Sequence, residues 1–381
     1  MNKKKVLLFT SSSGGGHLSA TAAIEQYLDH DYYDVQPVHI FKLLSYFDPI
    51  RVITCNKYTC EELFNKFLPK KYCKLLTLIS HLGTQYIYHR RKKIRQELYD
   101  YFVKNKPTLI ISVVPVINYI ILDIAQELNI PFILIPTDLN VTIYVQHIIK
   151  PTYKQFYIGL PFIDKEIFKP IEKNSIPKEQ IITLGAPLKK EFYSPKHKNE
   201  LKKQYNIHEH KPVIMVLMGS RGSCETAKYT KELLNLKIPA QLIVCIGKDQ
   251  NSKEKIAKFS VPEHITLSVV EFTPNIADYM SMSDILISKS GSQSVCEALY
   301  MNTPILLDAT SSLLPWEHFN HGFIKKHKFG AQIKKYQEIV PWISSLLKYP
   351  EKLQAYQDNF AKLEKKNFKD QLIKLIQKIG I

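Results

Sequence analysis

Apolar residues along this chain fall into short unbroken runs, separated by stretches in which they recur at every third or fourth position. Residues 6–10, 33–40, 109–114, 130–136, 155–159 and 181–184 form a first set of runs, and residues 213–218, 240–245, 265–270, 284–287 and 304–308 a second. A short apolar run bounded by turn residues reads as a strand covered on both faces, which is the condition of a parallel sheet. The segments between, such as 19–28, 117–128, 276–282 and 316–327, carry helical spacing. Strand and helix in alternation predict βαβ units, and here the alternation starts twice. Between the two arrays lies the polar, lysine-rich stretch 189–211, which reads as a connector. The boundaries predicted are an N-terminal Rossmann-like domain over 1–188, a linker over 189–211, a C-terminal Rossmann-like domain over 212–345 and closing helices over 346–381 that pack back toward the N-terminal domain.

Length and composition agree with two cores. The chain has 381 residues, 45% hydrophobic and 23% charged, enough for two domains of ordinary size. Its longest apolar segment, 109–122, is interrupted by Pro115 and Asn118 and falls short of the roughly 20 residues of a spanning helix. Lys3-Lys4-Lys5 runs straight into the strand Val6-Leu7-Leu8-Phe9, which is too short for a signal segment, so no export is expected. The six cysteines show neither a CxxC pair nor a metal spacing and read as reduced core thiols of a cytosolic protein, with no metal site expected.

Charge adds an anionic partner to this picture. Lys and Arg number 52 against 35 Asp and Glu, a net charge of +17. Part of the excess is concentrated between Leu63 and Gln96, where Lys66, Lys70, Lys71, Lys74, Arg90, Arg91, Lys92, Lys93 and Arg95 occur without a single Asp or Glu. Phe64, Phe67, Leu75, Leu78, Leu82, Tyr86 and Tyr88 are interleaved with them. Such a segment can lie in a lipid headgroup layer, each basic residue contributing about 1 kcal/mol at an anionic surface. A solvated helix face is the plainer alternative. Nucleic acid is a third, without any zinc-finger spacing or RNA-recognition signature behind it.

Candidate chemistry sits in the small-residue loops after strands. Ser288-Lys289-Ser290-Gly291-Ser292-Gln293-Ser294 joins a strand to a helix that carries Glu297. Backbone N–H groups at such a turn favour a phosphate, and a carboxylate near the first turn can accept hydrogen bonds from ribose hydroxyls. A capped helix in an ordinary α/β domain would look the same. Ser11-Ser12-Ser13-Gly14-Gly15-Gly16-His17 is a second such loop. It lacks the Gly-Lys-Ser/Thr of a Walker loop, and Ser19 stands where a dinucleotide fingerprint needs its third glycine. Asp138 ends the strand 130–136 and is expected to face the same crevice as His17, since ligands of open α/β sheets lie at the carboxyl ends of strands. A helix cap or turn is the alternative role for Asp138.

The order of these motifs is more specific than any one of them. Ser12-Ser13-Gly14-Gly15-Gly16-His17-Leu18-Ser19-Ala20, Thr137-Asp138, Gly185-Ala186-Pro187, Gly247-Lys248, Phe272-Thr273-Pro274-Asn275-Ile276-Ala277-Asp278-Tyr279-Met280, Lys289-Ser290-Gly291 and Glu297-Ala298-Leu299 together resemble the monogalactosyldiacylglycerol synthase and processive diacylglycerol glucosyltransferase group, glycosyltransferase family 28, itself similar to the peptidoglycan N-acetylglucosaminyltransferases. The resemblance implies a GT-B fold, two Rossmann-like domains facing across a cleft, and an inverting, metal-independent transfer of a hexose from a UDP-sugar to a membrane lipid such as diacylglycerol. It implies no cofactor beyond the UDP-sugar co-substrate, and a cytoplasmic protein bound peripherally to the inner face of a membrane. Gly219, Ser220, Arg221, Gly222, Lys248, Ser290, Gly291, Ser292, Gln293 and Ser294 would surround the donor diphosphate. Phe272 and Thr273 would border uracil, Glu297 would hold the ribose, and Glu317 with Asn320 would face the sugar. Gly14, Gly15 and Gly16 would admit the acceptor and diphosphate, and His17 or Asp138 would take the proton of the attacking hydroxyl, His17 first. Lys70, Lys71, Lys74, Arg90, Arg91, Lys92, Lys93 and Arg95 would meet the membrane. Transfer of N-acetylglucosamine to a polyprenyl-linked peptidoglycan precursor, and a sugar-nucleotide epimerase or hydrolase on the same scaffold, stay open as alternatives. The chain departs from the group where Ser290, Ser292 and Ser294 replace the Pro, second Gly and Thr of the usual Lys-Pro-Gly-Gly-x-Thr, where Val114-Pro115 stands for a His-Pro, and where Pro315-Trp316-Glu317 stands for Gly-Gln-Glu.

Overall fold

The structure is a computed structural model that describes residues 3–68 and 72–381. The chain divides into two compact units, one of residues 1–66, 74–189 and 364–381, the other of residues 67–73 and 190–363. In the first, the apolar runs become strands β1 (Lys4–Thr10), β2 (Tyr33–His39), β3 (Leu109–Ser112), β4 (Phe132–Leu134), β5 (Phe156–Leu160) and β6 (Ile181–Thr183). Helices α1 (Gly16–Tyr27), α2 (Ile40–Leu43), α3 (Pro49–Ile53), α4 (Cys60–Phe67), α5 (Cys73–Asn105), α6 (Asn118–Glu127) and α7 (Lys165–Lys173) connect them. The sheet is parallel throughout in the order β2-β1-β3-β4-β5-β6. Val6, Leu7, Leu8 and Phe9 are fully buried on both faces of β1, as a central parallel strand requires.

The second unit holds α8 (Lys198–Gln204), β7 (Val213–Leu217), α9 (Glu225–Leu233), β8 (Ala240–Gly247), α10 (Gln250–Ile256), β9 (Ile265–Glu271), α11 (Ile276–Met282), β10 (Ile285–Ser288), α12 (Ser292–Tyr300), β11 (Ile305–Asp308), α13 (Pro315–His327), β12 (Gly330–Ile333), α14 (Ile339–Lys348) and α15 (Pro350–Phe360). Its parallel sheet runs β12-β11-β10-β7-β8-β9, the Rossmann order. In each sheet the strand order reverses beside the first strand, between β1 and β3 and between β7 and β10. The crevice outside the carboxyl ends at such a point is where open α/β sheets bind ligands.

Three segments differ in detail from the sequence reading. The stretch expected as a connector contains α8, and Lys196 and Lys198 pair with Asp278 and Asp284 at 2.9 and 2.5 Å, so it is built into the second unit. The closing helices divide. Ile339, Ile343 and Leu346 of α14 join the second unit's core, with Leu353 and Tyr356 of α15 against it, whereas α16 (Phe368–Ile379) belongs to the first unit, Phe368 packing 6.1 Å from the ring of Tyr27. Of the cysteines, Cys55 and Cys224 are exposed, and only Cys73, Cys245 and Cys296 are buried.

Most of the basic segment lies on α5, a single helix of 33 residues and about 50 Å at 1.5 Å per residue. Its last turns bury Ile94, Leu98 and Phe102, one face at four-residue spacing. Leu75, Leu78 and Leu82, at helical spacing near its start, are exposed instead. Among the described residues no helix is long and apolar enough to cross a membrane.

Candidate active site

In the first unit the loop after β1 turns through Gly14 and Gly15 at φ 75° and 117°, a region that favours glycine, and delivers His17 as the second residue of α1. His17 Nδ1 lies 2.8 Å from the carbonyl of Val113, just past β3. A carbonyl can only accept, so Nδ1 carries the proton and Nε2 of the neutral ring is the basic nitrogen. Thr137 Oγ1 stands 3.1 Å from the same Nδ1 and 2.8 Å from the hydroxyl of Tyr144, which donates to Asp138 Oδ2 at 2.9 Å. Read with Nδ1 protonated, every donor in the series His17, Thr137, Tyr144 points toward the Asp138 carboxylate. Burial holds the His17 imidazole below its usual range. The negative charge of Asp138, the Val113 carbonyl and Glu61 pull in the opposite direction.

The structure thus brings His17 and Asp138 into one network, but through Thr137 and Tyr144 rather than by direct contact. Tyr144 was not singled out in the sequence, and neither was Asn118, whose amide donates to the carbonyls of Val114 and Tyr144 at 2.8 and 3.1 Å and braces both loops. The signal available was a polar residue inside an apolar run, since Asn118 is fully buried. Val116, in the same loop, has φ 77°, a conformation that β-branched residues scarcely adopt and that marks local strain beside the site.

In the second unit, the loops after β7 and β10 meet at the strand-order reversal. Gly219 and Gly222 have φ 87° and 75°. The loop after β7 meets Lys289 near Gly219, where the positive φ favours glycine, and a Cβ on Gly247 at the end of β8 would stand 2.5 Å from the Ser220 carbonyl oxygen, an approach only glycine allows. Asn320, fully buried on α13, donates to the Ser290 carbonyl at 2.6 Å and to Ser292 Oγ at 2.9 Å. His321 Nε2 lies 2.5 Å from Ser290 Oγ. Ser290 and Ser292, two of the three serines that depart from the usual motif, are therefore each held by α13.

Other expected donor residues are placed less uniformly. Gly291 caps α12, while Ser292 and Ser294 are buried in its first turn beside Gln293. Lys248 lies over the exposed ring of Phe272, 5.0 Å from its centroid, and Thr273 Oγ1 accepts from the Asn275 N–H at 3.1 Å. Arg221 is exposed beside Ser220. Glu297 is a correction: it falls in the second turn of α12 rather than the first and is largely buried, with Gln293 donating to it at 3.2 Å. The Glu317 carboxylate accepts the Leu314 N–H at 2.8 Å and so caps its own helix.

The expected membrane residues separate as well. Lys70 and Lys71 lie outside the described residues. Lys74, Lys92 and Lys93 are exposed on α5, but Lys74 and Arg90 are about 24 Å apart along it. Arg91 sits over Tyr88, 4.3 Å from the ring centroid. Arg95 is paired with Asp123 and Glu127 of α6, so its charge is already met within the protein. Among the described residues no group of three or more His, Cys, Asp or Glu side chains could hold a metal ion.

Residues 213–372 match the glycosyltransferase family 28 C-terminal domain. The chain is 22% identical over 372 residues to a processive diacylglycerol beta-glucosyltransferase of Bacillus pumilus, covering 96% of this chain and 92% of the relative. It is 25% identical over 366 residues to the chloroplastic monogalactosyldiacylglycerol synthase of Spinacia oleracea, covering 90% of this chain and 66% of that protein. Among solved structures, MurG of Acinetobacter baumannii superposes with a TM-score of 0.63 at 14% identity, over 99% of this chain and 100% of that one. The fold is that of the GT-B glycosyltransferases, with two Rossmann-like domains.

Proposed function

We propose that the chain is a glycolipid-forming glycosyltransferase of family 28 that moves a hexose from a UDP-sugar to a membrane lipid of the diacylglycerol class, with inversion and without a divalent metal. The likeness to diacylglycerol glycosyltransferases along nearly the whole chain carries the acceptor class. The first unit activates the acceptor. A lipid hydroxyl gives its proton to His17 Nε2 while its oxygen forms the bond to the sugar's anomeric carbon, and the bond from that carbon to the diphosphate oxygen breaks on the opposite face. A single displacement of this kind inverts the anomeric centre. The Asp138 carboxylate, reached through Thr137 and Tyr144, stabilises the imidazolium as it forms.

The second unit holds the donor. Backbone N–H groups of the glycine-containing loop after β7 and the first turn of α12 meet the diphosphate, and Arg221 and Lys248 supply positive charge as UDP leaves, the part a metal ion plays in other transferases. Phe272 offers uracil a flat apolar face, and Glu297 accepts from the ribose. In this reading the protein sits peripherally on the cytoplasmic leaflet, the stripe Leu75, Leu78 and Leu82 entering the interface beside Lys74, with the cluster from Arg90 to Lys93 farther along α5. The test is incubation of the full chain with vesicles containing diacylglycerol and radiolabelled UDP-glucose, UDP-galactose or UDP-N-acetylglucosamine. A labelled glycolipid is expected with one of the hexoses. Label appearing only on an added polyprenyl diphosphate acceptor, or only as free sugar, would overturn the reading.

A further inference from the structure

The loop that carries His17 has few bonds of its own. Between β1 and α1, the backbone bond from the Gly15 N–H to Ser13 at 2.9 Å and the Ser13 N–H to Ser11 Oγ bond at 3.1 Å are its internal ties. Two successive glycines at positive φ give this segment wide backbone freedom. Yet Ser11, Ser12 and Gly14 are all hydrogen-bonded from outside the loop, and the partners come from α4, nearly fifty residues on.

Glu61 of α4, only 8% exposed, accepts from the Ser11 hydroxyl and the Ser12 N–H, each at 2.7 Å, and from the Ser12 hydroxyl at 3.0 Å. Asn65, one turn later on the same helix face, accepts the Gly14 N–H at 2.9 Å and donates to the Ser12 carbonyl at 3.0 Å. The helix itself is tied down. Thr59 and Glu62 form a reciprocal cap at its start, the Thr59 N–H donating to Glu62 at 2.7 Å and the Glu62 N–H to Thr59 Oγ1 at 3.1 Å. The Cys60 N–H donates to Asp48 at 2.8 Å, and the same carboxylate caps α3. A buried carboxylate is costly unless hydrogen-bonded, and the hydrogen bonds to Glu61 come from one loop.

We propose that Glu61 and Asn65 are positioning residues for the base: α4 clamps the loop so that His17 is held at the Val113 carbonyl with Nε2 presented, and the Glu61 charge assists the ring as it takes a proton. This inference rests on the assignment of His17 as the base. The charged and titratable groups that bear on His17 are Glu61 from α4, Asp138 beyond β4, and the neutral Tyr144 through Thr137. Removing a negative charge on the α4 side lowers the affinity of the ring for its proton. Removing a neutral amide from the same helix does not.

The experiment compares Glu61→Gln and Asn65→Ala with the parent protein, full chain in each case. Hydrogen exchange of the peptide containing Ser12 and Gly14, followed by mass spectrometry, is expected to quicken about tenfold or more in both variants, as befits a lost hydrogen bond of this class. In the transfer assay, kcat falls about thirtyfold in Glu61→Gln and about tenfold in Asn65→Ala, while KM for the donor stays within about twofold. The acid limb of kcat/KM moves to lower pH in Glu61→Gln and stays in place in Asn65→Ala. Unchanged exchange in both variants, or an acid limb that fails to move in Glu61→Gln while it retains its fold, would overturn the proposal. Should Glu61→Gln not fold, Asn65→Ala, at a half-buried position, decides by exchange and kcat. Exchange needs no turnover, so absence of transfer by the parent protein would sink the assignment of function and leave the clamp to be judged separately.

Discussion

Both units present loops at the carboxyl ends of parallel strands, yet they secure them with different materials. In the first, the ring of His17 answers to Val113 and Thr137, 96 and 120 positions away, and its loop to Glu61, 49 positions from Ser12. In the second, the phosphate-type loop is fixed by glycines that allow close backbone approach and by Asn320 and His321, 28 to 31 positions from the serines they hold. The contrast matches the tasks proposed for the two sites. A proton acceptor works only in one orientation and tautomer, which side chains from several elements must impose. A diphosphate is satisfied by N–H groups, which a local turn supplies.

Removing the proposed base while leaving the donor unit intact has the largest expected effect. His17→Ala is expected to lower the transfer rate about a thousandfold, within the range for loss of a general base, with UDP affinity by calorimetry unchanged. If UDP binding fell equally, the two tasks would not be divided between the units as argued. In the parent protein, burial lowers the His17 pKa, so the acid limb of kcat/KM belongs below the ordinary imidazole value of about 6.5. The reciprocal change is Glu297→Ala, which removes an acceptor for ribose. UDP affinity should weaken about tenfold to a hundredfold, the scale of hydrogen bonds to a charged group, and kcat at saturating donor should change little. Equal UDP affinity in that variant would remove Glu297 from the nucleotide.

This division also explains what could be read before any coordinates. Both sheets were legible, because fully buried parallel strands must be continuous apolar runs and β1, β3, β7 and β10 are such runs. The loops at 14–17 and 288–294 were legible because glycine and serine there answer a local conformational need. Tyr144, Asn118, Glu61 and Asn65 were not, since nothing about a lone Tyr, Asn or Glu tells which distant loop it will meet. The partners of Glu317 and Arg95 are hidden in sequence for the same reason: the Leu314 N–H meets one charge, and Asp123 and Glu127 meet the other. The basic segment was recognised by composition, but its length as one helix spreads charges that looked contiguous.

A smaller effect sharpens the account of the first unit. Tyr144→Phe keeps the buried ring and removes the hydroxyl that joins Thr137 to Asp138. Two polar partners are then left short of a bond, which costs about 1–3 kcal/mol of stability in chemical denaturation. The transfer rate should fall about fivefold to tenfold, on the scale of about 1 kcal/mol for a neutral hydrogen bond. A variant as stable and as fast as the parent would show that Asp138 reaches His17 without this route.

The least perturbing test concerns acid. Burial pushes the His321 imidazole down to about 4, against the opposing pull of Asp308. Its folded value thus lies below the unfolded value of about 6.5, and the unfolded chain binds the proton more readily. The stability it contributes is present above pH 6.5 and is lost as pH falls toward 4. His17, also depressed by burial, has the same sign in the first unit. Calorimetry should therefore show melting temperatures falling by several degrees between pH 6.5 and pH 4, and His321→Gln should flatten that fall in the second unit alone. A protonated His321 also faces Ser290 Oγ as a donor only, so UDP binding should weaken over the same window in the parent protein and less in His321→Gln. An identical pH dependence of stability in the two proteins would mean that the second unit's loop does not depend on a neutral ring at this position, and that its contrast with the histidine of the first unit is one of place and not of chemistry.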